Sequence, residues 1–164
     1  MKSLHWLFLV CLFLSCDGGL TPPPEFDPGF GGTITFESWP STRDSLVNVW
    51  LFASQIYPLD SIKIFEGLFT TRKIFLYPGL TRSLPFNVDS VTYSFAPLEP
   101  GRYLYIGIIQ QFNSDINIRS FRVVGFYKNP ADTLLPGEVE VRDFTFITGI
   151  HLHAHFRNPP PQPF

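Results

Sequence analysis

Short runs in which apolar and polar residues alternate follow one another from residue 32 to residue 156. Residues 33–37, for example, read Thr-Ile-Thr-Phe-Glu, and a period of two is the pattern of a strand with one buried face. Eight segments carry such a pattern or a short apolar run: 32–38, 45–54, 72–78, 89–98, 101–112, 120–128, 137–143 and 146–156. Turn signals separate them, which predicts an all-β fold, an antiparallel sandwich of seven to eight strands.

One segment departs from the strand pattern. Residues 58–69 read PLDSIKIFEGLF, and Ile62, Phe65 and Phe69 align loosely along one side of a helix. No other segment keeps a helical apolar period for three turns, so this is the only place where we expect a helical turn.

The two ends of the chain do not continue the strand pattern. An apolar run of eleven residues, 4–14, follows Lys2 and is too short for an ordinary membrane-spanning helix, which needs roughly 20 apolar residues. It is typical of a secretory signal peptide. We therefore divide the chain into a signal peptide at 1–16, a Pro/Gly-rich tether at 17–31, a β-sandwich domain at 32–157 and an extended, Pro-rich tail at 158–164. For the tail we expect a solvated end rather than a ligand for an aromatic groove.

The end of the apolar run carries a lipidation motif. Its last residues, Phe-Leu-Ser-Cys, place Ser15 before Cys16, and this junction resembles the lipobox of bacterial lipoproteins. The resemblance implies cleavage before Cys16 and attachment of fatty acids such as palmitate to that residue. The chain has one other cysteine, Cys11, within the signal peptide, so a mature chain forms no internal disulfide. Ordinary secretion with an incidental cysteine is the alternative.

Lipidation would make the protein a membrane-attached component of the bacterial cell envelope. The sequence leaves open which membrane and leaflet it occupies, and its oligomeric state.

Composition limits the remaining function classes. A chain of 164 residues with 18 phenylalanines can bury one real core. Its net charge of −2 offers no electrostatic reason to bind nucleic acid. The sequence has no nucleophile elbow, phosphate loop or dinucleotide fingerprint, and no pair of acidic residues is placed for acid–base catalysis. We therefore expect a protein that is not an enzyme.

A turn between two predicted strands narrows the type of sandwich. Residues 95–103 read Phe-Ala-Pro-Leu-Glu-Pro-Gly-Arg-Tyr, in which Pro100 and Gly101 supply the backbone angles of a turn, and Leu98 and Tyr103 can close the core. This corner resembles that of prealbumin-like domains of the carboxypeptidase regulatory-domain kind, which are related to Ig-like sandwiches in architecture. The chain is similar to small bacterial lipoproteins with such a domain. The resemblance implies a non-catalytic companion that binds or braces something else.

The last predicted strand contains three of the four histidines. In GIHLHAHF, residues 149–156, His151, His153 and His155 share one face and apolar residues share the other. Neighbouring imidazoles on one face, roughly 7 Å apart, can share a zinc or copper ion. If the strand at 137–143 pairs antiparallel with this one, Val141 faces Ile150 and Glu140 lies beside His151 as a further ligand. The alternatives are a pH-responsive pair and a plain solvated strand face.

A second candidate surface is aromatic. Trp50 and Phe52 share one face of their strand, and Tyr103 and Tyr105 share a face of theirs. If one set faces water, it forms a platform for a sugar ring or a protein partner. Otherwise these side chains line the core or lie beneath the segment 58–69.

The sequence thus predicts a non-enzymatic, lipid-anchored envelope sandwich that acts as an accessory binding or structural module. Its partners are the membrane, through the N-terminal lipid, and an unidentified envelope protein or glycan. The alternative is a small-ligand binder, of a metal through the histidine strand or of a glycan through the aromatic face.

Overall fold

A computed structural model describes residues 26–41, 46–115 and 117–164, and these residues form ten strands and one α-helix. The strands are β1 (Gly29–Glu37), β2 (Asn48–Ser54), β3 (Ile74–Tyr77), β4 (Ser90–Phe95), β5 (Gly101–Tyr103), β6 (Tyr105–Gln111), β7 (Phe121–Phe126), β8 (Val139–Val141), β9 (Phe146–Ile147) and β10 (Leu152–His155). The helix α1 is Ser61–Phe69, and a short 3-10 turn occupies Ile118–Ser120.

All eight predicted strand segments form strands, and the predicted helical turn is α1. Two of the segments are each divided into two strands. Leu104 separates β5 from β6, and residues 148–151 separate β9 from β10. Gly149 within the second interruption has a φ of +84°, a conformation that glycine adopts without steric cost.

The strands form two four-stranded sheets, which confirms the all-β sandwich. The first sheet has the order β10-β1-β4, with β9 also beside β1, and the second has the order β3-β2-β6-β7. A separate pair joins β5 to β8. The pairing is not uniformly antiparallel as predicted, because β9 and β10 both run parallel to β1. A parallel pair needs a crossover rather than a hairpin, and the rest of the domain lies between these strands in sequence.

The core lies between the two sheets and is built from the predicted apolar faces. Every second residue of β2, namely Val49, Leu51 and Ala53, is fully buried there. From the first sheet, Ile34 and Ala154 are equally inaccessible. The apolar face fixes each strand's facing, since a shift by one residue would move all of these side chains out of the central core.

The corner between β4 and β5 closes one end of the core as the sequence indicates. Leu98 and Tyr103 are buried, and the Tyr103 hydroxyl donates a hydrogen bond to the Glu99 carbonyl at 2.7 Å. Gly101 has a φ of +152°, and its bare Cα leaves room for the side chain of Gln55. Burial raises the pKa of Tyr103 to about 12, because the phenolate would lose its hydration.

The N-terminal boundary of the domain differs from the predicted one. Residues 29–31 were assigned to the tether because of their glycines, but they belong to β1. Phe30 is fully buried, and its ring packs 5.6 Å from that of Phe95 and 6.1 Å from that of Tyr103. Gly29 and Gly31 lie against the backbone of β4, where a Cβ would collide with carbonyl oxygens. These glycines therefore permit close strand contact rather than flexibility.

Helix α1 covers part of the outer face of the second sheet. Phe52 and Tyr105 point away from the central core and form a second apolar cluster. Ile64 and Leu68 of the helix pack onto this cluster. Within the described residues, no helix is both long and apolar enough to traverse a bilayer.

The C-terminal tail packs on the same face instead of extending into solvent. Phe164 contacts the second cluster. The side-chain amide of Gln162 makes two hydrogen bonds to the backbone of Val123 in β7, accepting from its N–H at 2.7 Å and donating to its carbonyl at 3.0 Å. The expectation of a solvated tail is therefore wrong.

Alkaline pH should destabilise the fold through its buried tyrosines. Burial raises the pKa of Tyr93, Tyr103 and Tyr105 above the ordinary value of 10. Their neutral forms contribute stability that is complete below pH 10 and is lost as the pH rises through the raised pKa, which for Tyr103 is about 12. We expect the midpoint of thermal unfolding to fall over this range.

The Tyr103→Phe variant should be about 1 kcal/mol less stable at neutral pH, because it lacks the hydroxyl hydrogen bond to Glu99. Its free energy of unfolding should fall less than that of the wild type as the pH is raised. An equal alkaline loss in wild type and variant would contradict this account.

Gly125 of β7 should not tolerate a side chain. A Cβ there would fall against the carbonyl oxygen of His153 and the Cα of Ala154, since β7 and β10 approach each other by their backbones. We expect Gly125→Ala to lower the free energy of unfolding by roughly 1–3 kcal/mol, measured by denaturant titration. Ser94→Ala, on the exposed face of β4, is the control and should change it little.

Candidate functional site

The lipidation motif lies outside the described residues, so Cys16 remains a sequence prediction. The candidate site residues within the described part of the chain are the histidine strand, Glu140 and the four aromatic side chains.

The histidine strand has the predicted facing. Ile150, Leu152, Ala154 and Phe156 are buried on one face. On the other face His151 and His153 are exposed, whereas His155 is half-buried. The histidines therefore form part of the outer surface of the first sheet.

The neighbour of this strand is β1, and its carboxylate is Glu37. The parallel register places His153 beside Thr35 and His155 beside Glu37. The two carboxylate oxygens of Glu37 lie 3.2 Å from Nε2 of His153 and 3.5 Å from Nε2 of His155. We call Glu37, His153 and His155 the histidine–glutamate cluster. Glu37 and His153 are more than half exposed and His155 is half-buried, so the two contacts contribute little to stability.

The predicted pairing with residues 137–143 is wrong. Strand β8 pairs with β5, so Val141 faces Gly101 instead of Ile150, and Glu140 faces Arg102 instead of lying beside His151. Glu140 forms an ion pair with Arg142 at 3.2 Å, and this hydrogen-bonded guanidinium lowers the pKa of its carboxyl group. Pairing with β5 also turns the apolar residues of 137–143 inward and the polar ones outward. Alternation predicts which face of a strand is buried, but not which strand is its partner.

Two of the histidine rings accept backbone hydrogen bonds through Nδ1. Nδ1 of His151 accepts the N–H of Thr33 at 3.2 Å, and Nδ1 of His155 accepts the N–H of Asn158 at 2.9 Å. Each neutral ring must then carry its proton on Nε2, because Nδ1 is used as an acceptor. A metal-binding histidine normally shows the opposite arrangement, with its second nitrogen donating.

The described residues contain no group of three or more His, Cys, Asp or Glu side chains placed to hold one metal ion. Zinc or copper binding through His151, His153 and His155 thus remains a sequence prediction, now without Glu140 beside it.

The predicted aromatic platform is not formed. Trp50, Phe52, Tyr103 and Tyr105 are all buried, with at most 6 % of any residue exposed. The two tyrosines do not share a face either, since Tyr103 belongs to the central core and Tyr105 to the cluster beneath α1. The interruption at Leu104 separates their strands. Tyr103 in the core, and Phe52 and Tyr105 beneath α1, agree with the alternative interpretation. Trp50 is buried elsewhere, since its indole N–H donates to the carbonyls of Gly79 and Arg82.

The exposed apolar surface lies instead on α1. Ile62, Phe65 and Phe69 are 71 %, 63 % and 58 % exposed, and the two phenylalanine rings contact each other with centroids 5.1 Å apart. We call these three residues the α1 patch. Their alignment is visible in the sequence, which does not indicate whether this side of the helix is buried. The buried side is formed by Ile64, Gly67 and Leu68.

The N-terminus of α1 is fixed by Asp60. Its side chain accepts the N–H of Lys63 at 2.8 Å and forms an ion pair with the Lys63 ammonium at 3.1 Å. The backbone hydrogen bond is the main cause of a lowered pKa at Asp60. This cap fixes the start of the helix.

Helix α1, which carries the α1 patch, joins the end of β2 to the start of β3. Both lie at the end of the sandwich where the chain enters β1, which we call the entry end. The carbonyl of Pro28, just before β1, accepts the N–H of Leu98 in the corner. Leu104, just after that corner, donates to the carbonyl of Ser54, from which the chain continues into α1. Other exposed apolar residues of the loops at this end are Phe26, Tyr57, Leu134, Leu135 and Phe144.

Comparisons with protein-family models, with curated proteins and with solved structures find no match to this chain.

The hydrogen bonds of the histidine strand predict its tautomers. We expect neutral His151 and His155 to be Nε2–H tautomers, because backbone N–H groups point at Nδ1 of both rings. Long-range proton–nitrogen correlation spectra at mildly alkaline pH measure this directly. His153 is an internal comparison, since its Nδ1 faces the Thr35 hydroxyl, which can donate or accept. An Nδ1–H form at His151 or His155 would contradict the geometry and would free Nε2 for a metal.

Proposed function

We propose that this protein is a lipid-anchored β-sandwich of the bacterial cell envelope that acts as a non-enzymatic accessory binding or structural module. The lipid is carried by Cys16, and the sandwich faces the periplasm or the cell exterior.

One observation carries the proposal: the lipobox-like Ser15–Cys16 junction is followed after twelve residues by a folded β-domain. The described chain enters β1 at Gly29, and Phe30 is already part of the core. Only twelve residues, 17–28, separate the proposed lipid from the first strand. A short connection of this kind suits a domain that works close to a membrane surface.

A binding or bracing role is supported by the distribution of apolar surface. The central core is filled by side chains from both sheets, and the outer face of the second sheet is covered by α1 and by the C-terminal tail. Most of the large apolar side chains that stay exposed in the described residues, Leu80 and Phe86 excepted, belong to α1 or to loops at the entry end. Exposed apolar patches on a folded domain commonly mark interaction surfaces.

The small-ligand alternatives receive less support. A glycan site would need an exposed aromatic platform, and the four predicted side chains are buried. A metal site would need ring nitrogens free of protons, whereas Nε2 of His155 faces Glu37 as a donor. The prealbumin-like resemblance of the corner at residues 95–103 also favours a companion domain over a catalytic one.

Replacement of Cys16 tests the anchor. We expect Cys16→Ser to abolish incorporation of a palmitate analogue and to prevent removal of the signal peptide, both read by mass spectrometry of the protein expressed in bacteria. Cys11→Ala is the matched control, since this cysteine lies within the signal peptide and should leave lipidation unchanged. Palmitate analogue on the Cys16→Ser protein, or a wild-type chain cleaved elsewhere without lipid, would contradict the proposal.

A further inference from the structure

We propose that the α1 patch docks on the phospholipid bilayer to which Cys16 is attached, so that Ile62, Phe65 and Phe69 enter its interfacial region. This inference rests on the proposed function, because it takes the lipid at Cys16 as given.

Helix α1 is apolar on two sides, and only one of them is covered. Ile64 and Leu68 pack on the sheet, while Ile62, Phe65 and Phe69 project outward, each more than half exposed. A helix on the surface of a soluble domain usually presents polar residues to water. The outward side of α1 instead has the composition of helices that lie in a membrane interface, with phenylalanine and isoleucine on the lipid side.

The position of the lipid selects the bilayer as the partner. Cys16 is ten residues before Phe26, and a fully extended chain of that length spans at most roughly 35 Å. The anchored domain therefore cannot move from the membrane by much more than its own diameter. The chain enters at the same end of the sandwich that carries α1, so the anchor holds the α1 patch within reach of the surface.

The charges around the α1 patch are compatible with an anionic surface. Residues 60–73 contain three basic side chains, Lys63, Arg72 and Lys73, against the two acidic ones of Asp60 and Glu66. Arg72 and Lys73 lie three and four residues after the last helical residue and are exposed. The local excess of one positive charge contrasts with the net charge of −2 for the whole chain. Basic residues beside an apolar helix face add electrostatic attraction to anionic lipids.

A fluorescent label at position 65 tests the docking. The full-length chain carrying Phe65→Cys is expressed in bacteria, purified in its lipidated form and labelled with an environment-sensitive dye. Lipidation blocks Cys16, and Cys11 leaves with the signal peptide, so the introduced thiol is the one that reacts. The protein is then reconstituted into vesicles of phosphatidylethanolamine with a minority of phosphatidylglycerol. Thr92→Cys, on the exposed outer face of the first sheet, is the matched label site.

We expect the dye at position 65 to show a blue-shifted emission in vesicles, to lose most of its quenching by aqueous iodide and to be quenched by lipids with a shallow doxyl group. The dye at position 92 should show none of these changes. Adding Ile62→Ser and Phe69→Ser to the Phe65→Cys chain should remove the three effects. Leu80→Ser, which alters an exposed leucine outside α1, should leave them intact.

The outcomes separate this inference from the proposed function. Mass spectrometry of the purified chain is read first, and a Cys16 without lipid overturns the proposed function together with the premise of the docking. A lipidated chain whose dye at position 65 stays as accessible to iodide as the dye at position 92 overturns the docking alone. That result would assign the α1 patch to a protein partner.

Discussion

The pairing of the first strand with the last is the interaction on which the arrangement of this domain depends. Strand β1 lies between β4 and β10, and it contributes buried side chains to the core over its whole length. The close fit of its partners requires glycine, since a Cβ on Gly32 would meet the carbonyl of Ile150. Strand β10 also approaches β7 of the second sheet at Gly125. The pairing of β1 with β10 therefore connects the first and last described strands to each other and, through β10, to the second sheet.

The strands were predictable from the sequence because burial of one face leaves a period of two. Their partners were not, since alternation is satisfied by any neighbour with a matching polar face. Residues 137–143 were assigned to the histidine strand as the nearest predicted strand in sequence, whereas Glu37 reaches His153 across more than a hundred residues. The polar face of β1, with Thr33, Thr35 and Glu37, was visible in the sequence, but nothing there connects it to residues 151–155.

The aromatic residues show a second limit of sequence patterns. Spacing alone placed Tyr103 and Tyr105 on one face, but an interruption at Leu104 turns the chain so that one ring enters the core and the other lies beneath α1. The alignment of Ile62, Phe65 and Phe69 is likewise visible in the sequence. The sequence does not show that Gly67 and its neighbours form the side of the helix that packs on the sheet. A nine-residue helix with apolar groups on two sides has no sequence signal for which of them meets the sheet.

The Gln162 amide has a consequence for how this domain meets copies of itself. Strand β7 is at the edge of its sheet, where unpaired N–H and carbonyl groups can recruit a strand from another molecule. Gln162 occupies both groups of Val123, and the prolines around it have no N–H with which to continue a ladder. The tail thus caps these two edge groups of β7, which leaves less of this edge open to pairing with a strand of another molecule.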